Sequence, residues 1–445
     1  MSEGTGTAPG IDGREGELER IIRLFNAYET PNFDRYVDPD GFCWWDAMRF
    51  ILVHNLSVEQ GTHGAAPVDP PKPIPARMAS LARQVWAMQR EFAAFLAMPR
   101  KRFTTLHIGN RVLPYMKDSL AGAPRPTLLI GNIARLDADH GITKQSVDFA
   151  IRLLTPRMKP SPEVVEAAKT IARELSGIYD TKLDLEAMIL ARYRMNMAGR
   201  RVWTWLLDRL PNVERIVYVN DDTLKFATFL ANTRGIDTEE VQHGYMGASH
   251  GAFAYPPLGN PPRTMPDRCV IGRDTGDIVY PAPLKHVPEP TPEVDLKPLA
   301  ERPYDVMVGA SPKQVKETIA IVEALAPRGW KVAVRLHPAQ TEAGFRAAMP
   351  EDLRDTAIIA QRLSFFEAAA QARIYVPVAS YSTTGFDAAD MNCKVVLLHR
   401  DGLKASKILD SVASAETDSL AALPSIVEDL LRQIGAAKAE DIAQA

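Results

Sequence analysis

From residue 304 the chain repeats one rhythm that few folds accept. Apolar stretches rich in valine and isoleucine, "YDVMVG" (304–309), "KVAVRL" (331–336), "TAIIA" (356–360), "RIYVPV" (373–378) and "KVVLLH" (394–399), each run into small or polar residues. Helical patterns separate them, over roughly 313–326, after "HPAQ", at "SFFEAAAQA" and after "SYSTTG". Short strands that are apolar on both faces belong inside a sheet covered on both sides. Strands joined through helices run parallel. The expectation is a doubly wound, Rossmann-like α/β domain, with a last helix over about 424–436.

A looser version of the same rhythm fills the first half. "FTTLHIG" (103–109), "TLLIG" (127–131), "RIVYVN" (215–220) and "TEEVQHG" (238–244) read as strands. Helices are expected over 76–98, 162–176, 183–209 and 222–234, the last closed by Gly235. Ahead of them, a helix from Glu17 puts Leu18, Ile21, Ile22 and Phe25 on one face. Asp40-Gly41 reads as a turn, Trp44 to Leu56 as a mostly buried helix, and "APVDPPKPIP" (66–75) as a surface loop.

At 445 residues the chain exceeds one ordinary core, so two domains are expected. Residues 281–303 carry seven prolines and read as the linker and hinge between them. The organisation is then a disordered tail (1–16), an N-terminal, acceptor-side domain with a helical extension (17–280), the linker (281–303), and a C-terminal, nucleotide-binding domain (304–445).

Several function classes are disfavoured. The net charge is −3, so nothing in the overall charge points to nucleic acid as the main partner. Three scattered cysteines, Cys43, Cys269 and Cys393, make neither a disulfide framework nor a zinc site, and suggest reduced thiols in the cytoplasm. The first twenty residues are unlike a signal peptide, and no apolar run reaches the ~18 residues that span a bilayer. Association with the inner face of a membrane stays open. The glycine patterns of NAD enzymes and P-loop ATPases are missing, as is H-E-x-x-H. "DADH" (137–140) is a chance D-x-D, so a metal is not expected.

In open α/β sheets, ligands bind beyond the carboxyl ends of the strands. In the second half those ends carry Ser311, His337-Pro338, and the run Ser380, Ser382, Thr383 and Thr384. Hydroxyls and an imidazole there can donate hydrogen bonds to a phosphate, and "SYSTTG" also suits an N-cap for the helix starting near Thr384. Asp387, one turn on, can accept from ribose hydroxyls or simply favour a helix start. In the first half the ends carry Asp221, Asp222 and His243. Each aspartate is a candidate general base, or an N-cap for the helix over 222–234. His243 precedes Gly244, where a missing Cβ lets a ligand approach; it reads as a base or as a donor to a leaving phosphate. The second pair, His250-Gly251, has no assigned role.

"QHG" at the end of the first half, "HP" after a strand, and "STTGFDA" matching S-[ST]-x-x-x-[DE]-A together resemble the GT-B glycosyltransferases of bacterial capsule and lipopolysaccharide synthesis. The Kdo transferases and bacterial sialyltransferases are similar in layout, as are the CDP-glycerol glycerophosphotransferases. "NFDRYVDPDGFCWWDAMRF" also resembles a G-x-x-x-W-D-x-x-R string in such capsule proteins. The resemblance implies two Rossmann-like domains facing a central cleft. It implies a metal-independent transferase that takes a nucleotide-sugar donor, with a CMP-activated ulosonic acid such as Kdo preferred, and a glycan or glycolipid acceptor. His337, Ser382 and Thr383 would hold the donor phosphate, and Asp387 stands where relatives carry Glu. "NDDT" departs from the acidic pair followed by Gly, which leaves the base open between Asp221 and Asp222. A glycerophospho- or UDP-sugar transferase, a non-catalytic sugar-nucleotide-binding scaffold, and a sugar-nucleotide epimerase are the competing readings.

Overall fold

The computed structural model describes residues 16–60, 74–109, 127–131, 141–219, 224–242, 246–247, 250–251, 253–272, 280–287, 293–312, 314–338, 340–354, 356–379, 382–399 and 407–444. The tail and the loop expected over 66–75 fall almost wholly outside these ranges. The chain separates into two compact units, one chiefly Thr291–Ala445, the other Ile21–Gln60 with Val68–Pro290.

In the latter unit, strands β1 (Thr105–Ile108), β2 (Thr127–Ile130), β3 (Gly141–Ile142), β4 (Arg215–Tyr218), β5 (Asp237–Val241), β6 (Arg268–Ile271) and β7 (Leu284–His286) form one sheet. Its order is β3-β2-β1-β4-β5-β6-β7, with every pairing parallel. This is the 3-2-1-4-5-6 order of the Rossmann fold with one more edge strand. Strands β3 and β7 are too short to betray themselves by periodicity, and β6, as long as β1, was not expected either. Strand β7 lies inside the proline-rich stretch, where an exposed edge tolerates proline. Its neighbour Pro283 still lends a carbonyl to the Cys269 N–H.

Among the described residues, helices α1 (Glu17–Glu29), α2 (Asp46–Glu59), α3 (Ile74–Ala97), α4 (Lys144–Leu154), α5 (Pro162–Tyr179) and α6 (Leu185–Leu207) accompany the sheet, with α7 (Lys225–Thr233) between β4 and β5. The predicted face of α1 is buried at Leu18, Ile21, Ile22 and Phe25. Helix α2 starts two residues later than the aromatic run suggested. Helix α4 carries its own start signal, Thr143, whose side chain accepts from the Ser146 N–H. Ser161 and Asp184 cap α5 and α6 in the same way. Helix α7 departs from expectation: its N-cap position is Leu224, with no side-chain cap, so neither aspartate occupies that position.

The unit made chiefly of Thr291–Ala445 holds β8 (Tyr304–Gly309), β9 (Val332–Arg335), β10 (Ile358–Ile359), β11 (Ala372–Pro377), β12 (Lys394–Leu398) and β13 (Ala413–Thr417). The order is β10-β9-β8-β11-β12-β13, again all parallel and again 3-2-1-4-5-6 counted from β8. Helices α8 (Val315–Leu325), α9 (Glu342–Ala348), α10 (Phe365–Ala369), α11 (Thr384–Asp390) and α12 (Leu423–Gln444) connect and cover it. Val306, Val308, Val334, Ile374, Val376 and Val396 form the buried seam, onto which Val322, Leu325, Val427 and Ile434 pack. Strand β13, "ASAET", was missed because only small and polar residues stand at this edge.

Candidate functional site

Strand register sets the site. Gly309 of β8 pairs with Arg335 of β9 on one side and with Pro377 of β11 on the other. The ladder runs one residue further, Ala310 N–H to Arg335 O at 2.9 Å and Val378 N–H to Gly309 O at 3.1 Å. Three chain exits therefore leave the sheet at the same level, on adjacent strands about 4.8 Å apart. Ser311 lies on the first exit, His337 and Pro338 on the second, and the run to Ser382, Thr383 and Thr384 on the third. The exits of β8 and β11 flank the point where the connections reverse direction, the position at which doubly wound sheets bind ligands.

Each exit is braced locally. The His337 N–H donates to Gln340 Oε1 at 3.0 Å, and its carbonyl accepts from Gln340 N at 2.8 Å. This closes "HPAQ" into a turn and leaves the His337 and Pro338 side chains exposed. Arg335, two residues earlier, donates to Ala360 O and Gln361 Oε1, both at 3.1 Å. Burial lowers its pKa, but a guanidinium stays charged, so a fixed cation stands at the end of β10, held from the strand that leads to His337. The Ser311 carbonyl accepts from Gln314 N at 3.1 Å, tying the first exit to the start of α8.

The third exit contains a feature that the sequence reading missed. Tyr375, buried in β11, aims its hydroxyl at Thr384 Oγ1, 2.6 Å away, and Thr384 in turn meets Ser382 Oγ at 2.7 Å. The hydroxyls expected to cap α11 are thus joined to one another; its N-cap, Thr383, makes no side-chain cap bond. Burial raises the Tyr375 pKa strongly, so the phenol stays protonated and can donate. The ring needs space where Gly309 stands: a Cβ there would lie 2.0 Å from the Tyr375 hydroxyl. The signal in the sequence was a single hydroxyl in an apolar strand, "RIYVPV", opposite a strand ending in glycine. Asp387 is half-buried in α11, and its N–H faces Thr383 O at 3.5 Å.

In the other unit, Asp221, Asp222 and His243 lie outside the described residues, as does Ser380 beside the third exit. Their immediate neighbours are described. Gln242 is buried, and its Oε1 accepts from Gly272 N at 2.8 Å, so the Gln of "QHG" holds the β6 exit. Gly109 and Gly131 end β1 and β2, and a Cβ on Gly131 would lie 1.9 Å from Gly109 O. Only glycine permits that approach.

The segment after "QHG" is clamped by the WD-x-x-R string. Arg49 is buried and pairs with buried Glu29, through Nε at 2.7 Å and Nη2 at 3.1 Å. It also donates to Gly251 O, and to Ala254 O at 2.9 Å, and stacks over the Tyr255 ring at 4.1 Å. Tyr255 donates to Asp46 Oδ1 at 2.6 Å, and Lys225 Nζ lies 3.3 Å from Asp46 Oδ2. Trp45 donates to Glu29 at 3.3 Å. The second His-Gly pair belongs to this clamp. A Cβ on Gly251 would lie 2.6 Å from Val53, and the His250 ring stacks on Phe50.

Among the described residues no group of three or more His, Cys, Asp or Glu is placed to hold a metal, and no helix is long and apolar enough to cross a membrane. No protein-family model and no curated protein sequence matches the chain. Solved structures are similar in fold at very low identity. Arabidopsis thaliana UGT89C1 complexed with UDP shares 11% identity at a TM-score of 0.40, over 75% of this chain and 94% of that one. The spinosyn rhamnosyltransferase SpnG complexed with thymidine diphosphate shares 10% at 0.40, over 75% and 92%. The UDP-GlcNAc 2-epimerase of Methanocaldococcus jannaschii shares 8% at 0.39, over 75% and 91%.

Proposed function

We propose that this protein transfers a glycosyl group from a nucleotide-sugar donor, and that the unit containing β8 to β13 binds the donor's phosphate. One observation carries the reading: Ser311, His337 and the Ser382–Thr384 hydroxyls leave adjacent strands in register beside the sheet's switch point. Donor phosphates would take hydrogen bonds from these hydroxyls and from the His337 imidazole. Glycosyl transfer builds negative charge on the departing nucleotide, and preorganised donors lower that barrier without reorganising. Asp387 is offered as a ribose contact. His243 is offered as the base or as a donor at the reacting centre, with Asp221 and Asp222 as alternative bases. The Gly251–Ala254 clamp supports the chain that follows His243.

The donor preference rests on the resemblance to capsule and lipopolysaccharide transferases, which favours a CMP-activated ulosonic acid over UDP sugars or CDP-glycerol. A surface glycan or glycolipid is the matching acceptor. Calorimetric titration with CMP, CDP and UDP tests the site and ranks the donors. The expected result is saturable binding of one nucleotide class, weakened roughly tenfold or more in His337→Ala, because a hydrogen bond to a charged group is lost. No binding of any nucleotide at millimolar concentration would sink the transferase reading. Transfer to an added acceptor distinguishes an enzyme from a scaffold, and release of an altered free sugar without acceptor would favour an epimerase.

A further inference from the structure

A second concavity lies among helices α3, α4 and α6, within the unit that carries β1 to β7. It encloses about 560 Å3, in the range of small-molecule sites. Met88, Phe92 and Leu96 of α3, Leu154 of α4, and Val202 and Trp205 of α6 form its wall. Among the described lining residues, Gln89, Arg201 and the indole N–H of Trp205 are the polar groups. The apolar surface continues outward: Leu96 is 44% exposed and Trp86, on the same helix, 62%. A folded chain does not leave so much large apolar surface together without a use for it.

The charge around this pocket decides what fits. Along the sequence from Arg83 to Arg102, the second part of α3 and the residues after it, stand five cations, Arg83, Arg90, Arg100, Lys101 and Arg102, against one carboxylate, Glu91, although the whole chain is net negative. Glu91 is engaged, accepting from the Thr143 hydroxyl at 2.7 Å and its N–H at 3.1 Å. Arg201, at the pocket itself, is exposed and makes no ion pair among the described residues. Arg90 lies over Trp86 at 5.0 Å and Arg209 over Trp205 at 4.1 Å. A second copy of the chain would set cations against cations across a two-fold contact, so self-association is disfavoured. An uncharged apolar ligand would leave Arg201, at the pocket, without a counter-charge.

We propose that this pocket binds a single anionic amphiphile, with its apolar tail between α3, α4 and α6 and its phosphate or carboxylate head at Arg201. The head group and tail can come from a free amphiphile or from one lipid drawn from a bilayer, and the same pocket serves both. The inference stands on the pocket and its charge and does not depend on glycosyl transfer.

The test uses the full chain and alkyl phosphates held below their micelle concentrations, followed by calorimetry. Binding is expected to saturate and to tighten roughly tenfold for every two methylenes added, until the pocket is full. Alkyl alcohols and alkyltrimethylammonium ions of equal length should bind more weakly. Ala150→Phe and Ala93→Trp place rings in the cavity and should weaken binding at least about tenfold. Arg201→Glu, on an exposed position that folding tolerates, should weaken it about fivefold and keep the chain-length slope. Sedimentation with phosphatidylcholine vesicles, with and without phosphatidic acid, separates the sources: lipid drawn from a bilayer requires that Ala150→Phe reduce recovery on anionic vesicles. The proposal is overturned if no alkyl phosphate saturates the protein, if the filled-pocket variants melt normally and bind equally well, or if Arg201→Glu leaves alkyl phosphate affinity unchanged. Adsorption to anionic vesicles alone, indifferent to Ala150→Phe and with no binding of monomeric phosphates, would overturn it too.

Discussion

Replacing Arg49 with methionine tests whether the WD-x-x-R string is a structural clamp. The change removes both bonds to Glu29, the donors to Gly251 O and Ala254 O, and a 3.2 Å contact with Asn26 Oδ1. Glu29 is left with Trp45 Nε1 at 3.3 Å as its remaining bond among the described residues, and it has no access to water. Breaking one side of a buried ion pair costs about 3–5 kcal/mol, because the other charge stays buried and uncompensated. Glu29→Gln in the same chain removes that charge and keeps an acceptor for Trp45. The double variant should therefore recover about 2 kcal/mol relative to the sum of the single changes. Urea unfolding followed by tryptophan fluorescence reads the clamp's own unit, since five of the six tryptophans, all but Trp330, lie in it. The pH dependence adds a signature. Burial raises the Glu29 pKa, with Arg49 opposing, so removing Arg49 raises it further. The folded state then holds the proton more tightly than the unfolded chain does. Stability from that proton is fully present below the unfolded value of about 4.3 and is lost as pH rises through the folded value. The Arg49→Met defect should therefore shrink on acidification. A cost under about 1 kcal/mol, or strictly additive single changes, would refute the clamp.

Gly309→Ala should destabilise the β8–β13 unit by about 1–3 kcal/mol in thermal unfolding, since its Cβ would sit 2.0 Å from the Tyr375 hydroxyl. Adding Tyr375→Phe should restore only part of that loss, because the ring carbons Cζ and Cε2 would still lie 2.7 and 2.9 Å from the new Cβ. Ser364→Ala removes a capping box in which Ser364 and Glu367 bond each other's backbone, and should cost about 1 kcal/mol by the same measurement. His243→Ala is expected to reduce kcat far more than donor affinity in steady-state assays; unchanged turnover would remove it from the reacting centre.

Much of the fold was legible because buried parallel strands are nearly continuous apolar runs. "YDVMVG" and "RIYVPV" could be placed within a residue or so from letters alone. Strand β6 was passed over, and strands β3, β7 and β13 were not legible. The last three are short or weakly apolar edge elements, held by ladder bonds to a neighbour rather than by their own side chains. The helix assigned to 222–234 failed at its start for a related reason: a capping residue was inferred from composition, while the observed turn begins at Leu224 without one. At the candidate site, Ser311, His337 and Ser382 were named from their positions after strands. Tyr375 was not, because it sits inside a strand and reads as core, nor was Arg335, the last residue of its strand, whose side chain is engaged by a neighbouring strand's exit.

By itself the sequence determined the class of both units, the parallel direction of their strands, and which residues would stand at strand ends. Those properties follow from hydrophobic period and connection length, which are local. Only tertiary structure decided that Arg335, Gly309 and Pro377 stand in register, and that Tyr375 reaches past Gly309 to Thr384. It also decided that Arg49 crosses some two hundred residues of chain to hold Gly251 and Ala254. Register and buried charge pairing depend on which distant segments meet, and no local pattern encodes that meeting.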